Sequence, residues 1–281
     1  MAQTWSDIAD DPNAVEARQY RKAQVDAAWR SETRDRTSVL REFCRGRRVL
    51  DVGCVGHASR IGSDAWLHAQ LAEAAAECLG VDVDEDGLRR VTAGGYDAVF
   101  CDITSDPLPA QVLDRAPFDV VVAGEVIEHL PCPQSLLTFA MRVLSPGGKL
   151  VATTPNPYAP ARVRAGQRGA VIENVDHVIY AFPSGMAEMA DRTGMHLALV
   201  CTVGAPFTTG GWRSAKALVV AALQRARGQR SVEPVGRLKL PVRMEYLTPL
   251  DALTIRYRRS HDRIGETSIY VLEKPIPEAM M

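Results

Sequence analysis

The sequence predicts an α/β fold, in which a parallel sheet carries helices on both of its faces. Short apolar runs ending in Asp or Gly, such as RVLDVG at 48–53, recur along the chain and predict buried strands. These runs are almost continuously apolar, which is typical of strands covered on both faces. Helical segments separate them, and strands that alternate with helices require crossover connections and a parallel sheet. A chain of 281 residues favours one elaborated domain.

The elements follow in order from the pattern of apolar residues. Helices are predicted in two segments of 14–44 and then over 64–77, 133–144 and 183–193, with Pro146-Gly147-Gly148 ending the fourth. Strands are predicted at 47–54, 78–84, 97–103, 118–124, 149–156, 194–203 and 267–275, the last at an edge of the sheet. This order predicts an N-terminal helical segment at 1–46 and a main domain at 47–281, with a lid or insertion at about 204–266.

Composition and charge exclude several classes of protein. The 46% apolar and 24% charged residues match an ordinary globular protein rather than a disordered or fibrous one. The net charge of −1 provides no bulk attraction to nucleic acid or to an anionic membrane. The start of the chain has no basic and apolar leader, and no apolar run approaches the roughly 18–20 residues of a spanning helix. Six cysteines without a CxxC pair predict reduced thiols. We therefore expect a cytoplasmic protein without disulfides.

Two segments near the C-terminus allow more than one interpretation. AKALVVAALQRARGQR at 215–230 has the pattern of an apolar helix with a basic tail, which fits a lid, a dimer face or a membrane-surface contact. Packing on the domain is the preferred interpretation, and peripheral membrane contact through 204–230 is the alternative. IRYRRSHDR at 255–263 is a local basic patch, for which a solvated loop is preferred over an RNA contact. The oligomeric state is not determined by the sequence.

Polar groups follow the first three strands, at the edge where parallel sheets bind ligands. Asp51, Gly53 and Gly56 follow the first strand, and a glycine turn lets the backbone approach a ligand closely. Asp82 ends the second strand, where a carboxylate can hold both hydroxyls of a ribose. After the third strand, Asp102-Ile103 offers an acceptor for an adenine amine and an apolar neighbour for its ring. The GxGxxG spacing of a dinucleotide-binding dehydrogenase is absent.

Three ionisable residues crowd the end of the fourth strand, in GEVIEHLP at 124–131. In one turn of helix, Glu125, Glu128 and His129 would point to the same side. Two close carboxylates repel unless a cation, a proton or a donor compensates, and Mg²⁺ is suited to this, while a histidine also suits Mn²⁺. His177, in ENVDHVIYAFP, would be a fourth ligand. Alternatively, His129 or His177 acts as a metal-free general base, or the group is structural, with Glu128 a solvated acid.

The ordered set VLDVGC, GVDVDEDGL, CDIT, FDVVVAGEVIEHL and VLSPGGKLVATTPN resembles class I S-adenosylmethionine-dependent methyltransferases, closely over 47–156. The resemblance implies a Rossmann-like, doubly wound sheet of seven strands with the last strand antiparallel. It places the methionine part of the cofactor near Asp51, Gly53 and Gly56, the ribose on Asp82 and the adenine beside Asp102-Ile103. Glu125 is expected near the cofactor. The chain departs from the family's DxGxGxG turn, because Val55 and His57 stand where later glycines are usual.

The ExxEH pattern followed by DH resembles the metal-dependent small-RNA terminal ribose 2′-O-methyltransferases, and its ExxEH part also resembles the ubiquinone-biosynthesis O-methyltransferases. Carried over, it implies metal ligation by Glu125, Glu128, His129 and His177, with Mg²⁺ or Mn²⁺ as the ion. A hydroxyl acceptor needs its proton removed, by a histidine or a metal, whereas an amine needs neither. We therefore predict O-methylation of a small hydroxylated acceptor: a sugar, a glycoside or a phenol or quinone precursor. RNA ribose methylation, N-methylation of a small molecule and a non-catalytic binding role are the alternatives.

Overall fold

The computed structural model describes residues 11, 13–204 and 265–277. The predicted insertion at 204–266, with the segments at 215–230 and 255–263, lies outside the described residues except at its two ends. Seven strands form one sheet, in the order β3-β2-β1-β4-β5-β7-β6. Their bounds are β1 (Arg48–Val52), β2 (Glu77–Asp82), β3 (Ala98–Phe100), β4 (Phe118–Gly124), β5 (Leu144–Pro155), β6 (His196–Val203) and β7 (Thr267–Glu273).

The pairing of the strands confirms a doubly wound sheet with an antiparallel last strand. Strands β1 to β5 pair in parallel, while β7 is antiparallel to both β5 and β6. The prediction that the last strand lies at an edge is wrong, because β7 lies between β5 and β6. The five central residues of β7 are all buried, and the apolar run of the last four, Ile269 to Leu272, needs cover on both faces of the sheet.

The α-helices of the described residues are α1 (Val15–Ala28), α2 (Arg36–Cys44), α3 (Leu67–Ala74), α4 (Glu85–Ala93), α5 (Ala110–Leu113), α6 (Gln134–Val143), α7 (Pro160–Gly166) and α8 (Pro183–Thr193). Five of them, α1, α2, α3, α6 and α8, lie where the sequence pattern predicts them, whereas α4, α5 and α7 were not predicted. Asp35 accepts a hydrogen bond from Ser38 N at the start of α2, and Gly194, in the left-handed conformation, ends α8. None of these helices combines the length and the apolar character that crossing a membrane requires.

One predicted boundary is wrong for a clear reason. The sequence predicts that Pro146-Gly147-Gly148 ends the helix and that the next strand begins at 149, but α6 ends at Val143 and β5 begins at Leu144. A register shift in the pairing with β4 accommodates the extra residues as a bulge. On the side of β5 that faces β7, Gly147 N donates to Lys274 O and Lys274 N donates to Gly148 O, both at 2.9 Å. These bonds extend the strand through residues whose sequence indicates a turn.

A buried core fixes the centre of the sheet and the helices on one of its faces. Leu40 of α2, Leu71 of α3 and Val122 of β4 belong to one cluster with Val151 and Val271, and each is at most 1% exposed. Burying an aliphatic side chain of this size contributes about 1.5–3 kcal/mol. The carboxyl ends of β1 and β4 are therefore anchored, and the loops that follow them are held in place.

The N-terminal helices pack on the same sheet. Arg21 of α1 is 7% exposed and forms ion pairs with Glu188 and Asp191 of α8, the second at 2.8 Å. Helix α2 contributes to the core, so the predicted segment at 1–46 shares its packing with the main domain. All six cysteines are free thiols in the structure.

Candidate active site

A cavity of about 970 Å³ opens beyond the carboxyl ends of β1, β2 and β4. This is the upper end of the volume range of small-molecule sites. Its walls contain most of the predicted site residues: Asp51, Gly53, Gly56, Asp82, Glu125, His129 and His177. The structure does not place Asp102, Ile103 or Glu128 in these walls. Residues of the 171–177 loop also line the cavity.

The turn after β1 keeps the backbone geometry for which glycine is needed, despite its unusual sequence. Gly53 and Gly56 have φ angles of 78° and 55°, and Gly56 N donates to Gly53 O at 3.1 Å. A Cβ on Gly53 would lie 2.7 Å from Val126 Cγ2, so a side chain there has no room. Val55 is buried and its N–H donates to Asp82 Oδ2 at 2.9 Å, whereas His57 lies in the cavity wall. The departure from the family turn thus adds an imidazole to the cavity.

The two strand-end acids beyond β1 have different surroundings. Asp82 lines the cavity, and its other oxygen accepts from Val83 N at 2.8 Å. Asp84 N also donates to this second oxygen, at 3.1 Å. An ionised carboxylate has about four acceptor sites, so about one remains on Asp82 for a ribose hydroxyl. Asp102 instead organises its own turn, accepting from the Thr104 hydroxyl at 2.6 Å and the Ser105 hydroxyl at 2.8 Å. The Thr104 hydrogen bonds lower the pKa of Asp102, and its role at the adenine stays a prediction.

Two further residues of the cavity wall, His68 and Arg36, were not predicted from the sequence. His68 of α3 places Nδ1 2.8 Å from Asp51 Oδ2, and both side chains are almost fully buried. Arg36, at the start of α2, places Nη1 3.7 Å from Glu125 Oε1, and its Nε has no hydrogen-bond partner. In the sequence, His68 shows only as a polar residue on the buried face of a helix, next to Leu71 at a three-residue spacing. Nothing in the sequence around Arg36 indicates a site.

The backbone after β4 differs from the predicted helical turn. Glu125 has a φ of 62°, and among the described residues it is the one non-glycine residue with a positive φ. A short 3₁₀ turn then covers Ile127–His129. Glu125 therefore points away from its expected neighbours: its carboxylate accepts from the Thr153 hydroxyl at 3.1 Å. Left-handed backbone at a bulky residue costs about 1–3 kcal/mol and is concentrated at functional sites.

Glu128 is completely buried, which excludes its interpretation as a solvated acid. Neither carboxyl oxygen has a hydrogen-bond partner of good geometry. Burial, with the nearby charge of Glu125, raises the pKa of Glu128 to about 7, and the Thr154 hydroxyl offsets this only in part. Buried polar atoms are rarely left without a partner, and a bound cation is one explanation for those that are.

Two histidines lie beside this carboxylate. Glu128, His129 and His177 can each offer one ligand atom within 4.8 Å of the others, and Glu125 is outside the group. The two imidazole rings are in edge contact, with centroids 4.8 Å apart. Val178 N donates to Glu128 O at 2.8 Å, which fixes the loop carrying His177 against the 3₁₀ turn. The structure thus brings together three of the four predicted ligands.

A carboxylate lies next to Nδ1 of each histidine. Asp176 Oδ2 is 3.3 Å from His129 Nδ1, and Glu173 Oε2 is 2.7 Å from His177 Nδ1. Burial would raise the pKa of Glu173, but hydrogen bonds from Arg162 and His177 outweigh it and the pKa is lowered. Chemically, the group offers one buried carboxylate and two oriented imidazoles beside a cavity that can hold a nucleoside.

Comparison with known proteins finds a matching family and several similar proteins. A family profile described as "Methyltransferase domain" matches residues 20–198. A ubiquinone biosynthesis O-methyltransferase of Methylococcus capsulatus is 31% identical over 59% of this chain and 70% of its own length. A protein of the same name from Idiomarina loihiensis is 30% identical over 50% of this chain. The match covers 53% of the length of that relative. A solved S-adenosylmethionine-dependent methyltransferase from Mesorhizobium loti is 18% identical, with a TM-score of 0.43 over 84% of this chain and 96% of that one.

The family match covers the glycine turn, the strand-end acids and the cluster after β4. The chain belongs to the class I S-adenosylmethionine-dependent methyltransferases.

Proposed function

We propose that this methyltransferase acts on a hydroxyl oxygen of a small phenolic acceptor, with a divalent cation held by Glu128, His129 and His177. The single observation that carries the proposal is the fully buried, unpartnered carboxylate of Glu128 between two histidines. The names of the relatives support a phenol or quinone precursor as the acceptor class.

The methyl donor would bind along the strand ends. Gly53 permits close approach of the backbone, Asp82 offers an acceptor to the ribose, and Asp102-Ile103 is the candidate for the adenine. Asp51, held by His68, is near the amino end of the methionine part in this arrangement. Arg36 would complement the methionine carboxylate, because a guanidinium with an unpartnered nitrogen favours an anionic partner.

The residues after β4 fit a divalent cation. One carboxylate and two imidazoles are ligands common to Mn²⁺, Fe²⁺, Co²⁺ and Zn²⁺, and three protein ligands leave positions for an acceptor. Glu125 is a candidate fourth ligand that would have to leave Thr153. When bound, such an ion lowers the pKa of an acceptor hydroxyl. The orphaned oxygens of Glu128 provide the charge that the ion would require.

The side chains of the cavity would position the acceptor, and they could also remove its proton. In-line transfer from a sulfonium depends mainly on holding the acceptor oxygen in attack geometry, which the cavity walls and the pinned 171–178 loop would provide. Without a cation, His129 or His177, which both lie at the cavity, could instead accept the hydroxyl proton. A metal-free mechanism with His177 as general base is the second candidate, because Glu173 orients its ring as the partner of a general base does. The sugar and RNA acceptors, N-methylation, a cytoplasmic location and peripheral membrane contact stay predictions.

Transfer of a tritiated methyl group from S-adenosylmethionine to 3,4-dihydroxybenzoate tests the proposal. We expect transfer that is abolished by EDTA, restored by Mn²⁺ or Mg²⁺, and reduced at least about 100-fold by Glu128→Gln. Glu77→Gln, which removes a half-exposed carboxylate of β2, is the matched control and should leave the rate unchanged. Full activity in EDTA would refute the metal and favour the His177 base. Absence of transfer to any hydroxyl acceptor by a protein that binds S-adenosylhomocysteine would refute O-methylation.

A further inference from the structure

We propose that Glu173 is a positioning residue, whose carboxylate holds Nδ1 of His177 so that Nε2 is the nitrogen presented to the metal or to the acceptor hydroxyl. The inference rests on the role given to His177 in the proposed function. It concerns which of the two ring nitrogens carries the proton, and it can be tested without turnover.

The contact between the two side chains is short and shielded from water. Glu173 Oε2 lies 2.7 Å from His177 Nδ1, and the side chains are 8% and 9% exposed. An ionised carboxylate can only accept hydrogen bonds, so a bond at this distance requires the proton on Nδ1. Arg162 donates from Nε to Glu173 Oε1, which keeps the carboxylate ionised and supplies its counter-charge.

The opposite nitrogen indicates the same tautomer independently. Asn174 Nδ2 lies 3.3 Å from His177 Nε2. An amide nitrogen only donates, so Nε2 carries a lone pair in this arrangement. Contacts on the two sides of the ring therefore agree, and the Nε2 lone pair, which faces Asn174 here, is the one that a metal or a proton would occupy in place of that contact.

The support for Glu173 extends into the sheet. Arg162 Nη1 also donates to Asn156 O at 3.4 Å and to Glu266 O at 3.3 Å, residues that flank β5 and β7. A loop carboxylate is thereby tied to the ends of two core strands. The corresponding pair at His129 is weaker, because Asp176 is 65% exposed and lies 3.3 Å away. The ring of His177 is thus the better fixed of the two.

Residues that hold a ligating histidine in this way typically change metal affinity or activity by about 10–100-fold when removed. The direct test is a long-range ¹H–¹⁵N correlation spectrum of histidine-labelled protein at alkaline pH, with His177 assigned by loss of its signals in His177→Gln. We expect wild-type His177 to carry its proton on Nδ1. Glu173→Ala should shift it to the Nε2-protonated or a mixed tautomer, and Glu173→Gln, which keeps an acceptor oxygen, should restore Nδ1 protonation.

Asp176→Asn is the matched control, because it removes a loop carboxylate that faces the other histidine, and it should leave the His177 tautomer unchanged. A wild-type spectrum with the proton on Nε2 overturns the inference, even if Glu173→Ala fails to fold. A folded Glu173→Ala protein with an unchanged His177 tautomer also overturns it. Failure of the proposed function is separate, since it would show as Mn²⁺ not binding to wild-type protein whose His177 still carries its proton on Nδ1.

Discussion

Replacement of Glu128 by Gln is expected to stabilise the metal-free protein at alkaline pH, although it removes a residue of the proposed centre. The Glu128 side chain is fully buried, and no hydrogen-bond donor satisfies its oxygens. An ionised carboxylate in this position opposes folding much more strongly than a neutral amide of nearly the same shape does. A neutral side chain at position 128 therefore favours folding of the metal-free protein, whereas the proposed metal site needs the ionised carboxylate.

The magnitude follows from the pKa of the buried group. The rise from 4.5 to about 7 is equivalent to about 3 kcal/mol of free energy at alkaline pH. In the unfolded chain the carboxyl ionises near pH 4.5, whereas in the folded chain it stays protonated to about pH 7. Between these values the folded state binds more protons, so the free energy of unfolding falls as the pH rises, and the full loss is reached above about pH 7.

Urea unfolding in EDTA, followed by tryptophan fluorescence at pH 5 and pH 8.5, measures this effect. We expect Glu128→Gln to be more stable than wild type by about 3 kcal/mol at pH 8.5 and by much less at pH 5. The control Glu77→Gln should differ from wild type by less than about 1 kcal/mol at both values, because its ion pair with Arg48 is half-exposed. A Glu128→Gln protein that gains nothing at pH 8.5, or gains equally at both values, would refute the reasoning.

Three other predictions concern ligands and are measured by calorimetry or thermal unfolding. Gly53→Ala should weaken S-adenosylhomocysteine binding at least about 10-fold, because its Cβ would lie 2.7 Å from Val126 Cγ2. The control Gly169→Ala has a similar positive φ, 70°, but its Cβ would clash with no neighbour, and it should bind normally. Arg36→Gln should weaken the same binding by about 10–100-fold, since a hydrogen bond to a charged group is worth about 1.5–3 kcal/mol; unchanged affinity would remove Arg36 from the site. Mn²⁺ should raise the unfolding temperature of wild type at pH 8 and leave that of Glu128→Gln unchanged, and equal shifts would contradict the proposed ligands.

Much of the fold could be predicted because buried parallel strands have a continuous apolar signature. Strand β4 and helix α8 have the predicted bounds, and Asp51, Gly53 and Asp82 meet at one cavity, as strand ends of a parallel sheet must. The place of β7 could not be predicted from its own residues, because strand order depends on pairing between distant segments. The early start of β5 depends on the same kind of pairing.

In the candidate site, too, the residue types could be predicted from the sequence, whereas contacts between distant segments could not. Glu128, His129 and His177 were identified from their residue types, and the structure brings them together across 48 intervening positions of sequence between Glu128 and His177. The role of Glu125 could not be read from helical spacing, because its positive φ breaks the assumed turn. Arg36 and Glu173 are ordinary charged residues in the sequence, and only the packing of α2 and of the loop makes them neighbours of the site.

The most direct test of the central claim is the anomalous diffraction of a crystal grown with Mn²⁺ and S-adenosylhomocysteine. The account predicts one strong manganese peak within bonding distance of Glu128, His129 and His177, with the sulfur of the nucleoside facing it across the cavity. A structure with S-adenosylhomocysteine bound in the cavity and no manganese at these three residues would contradict it.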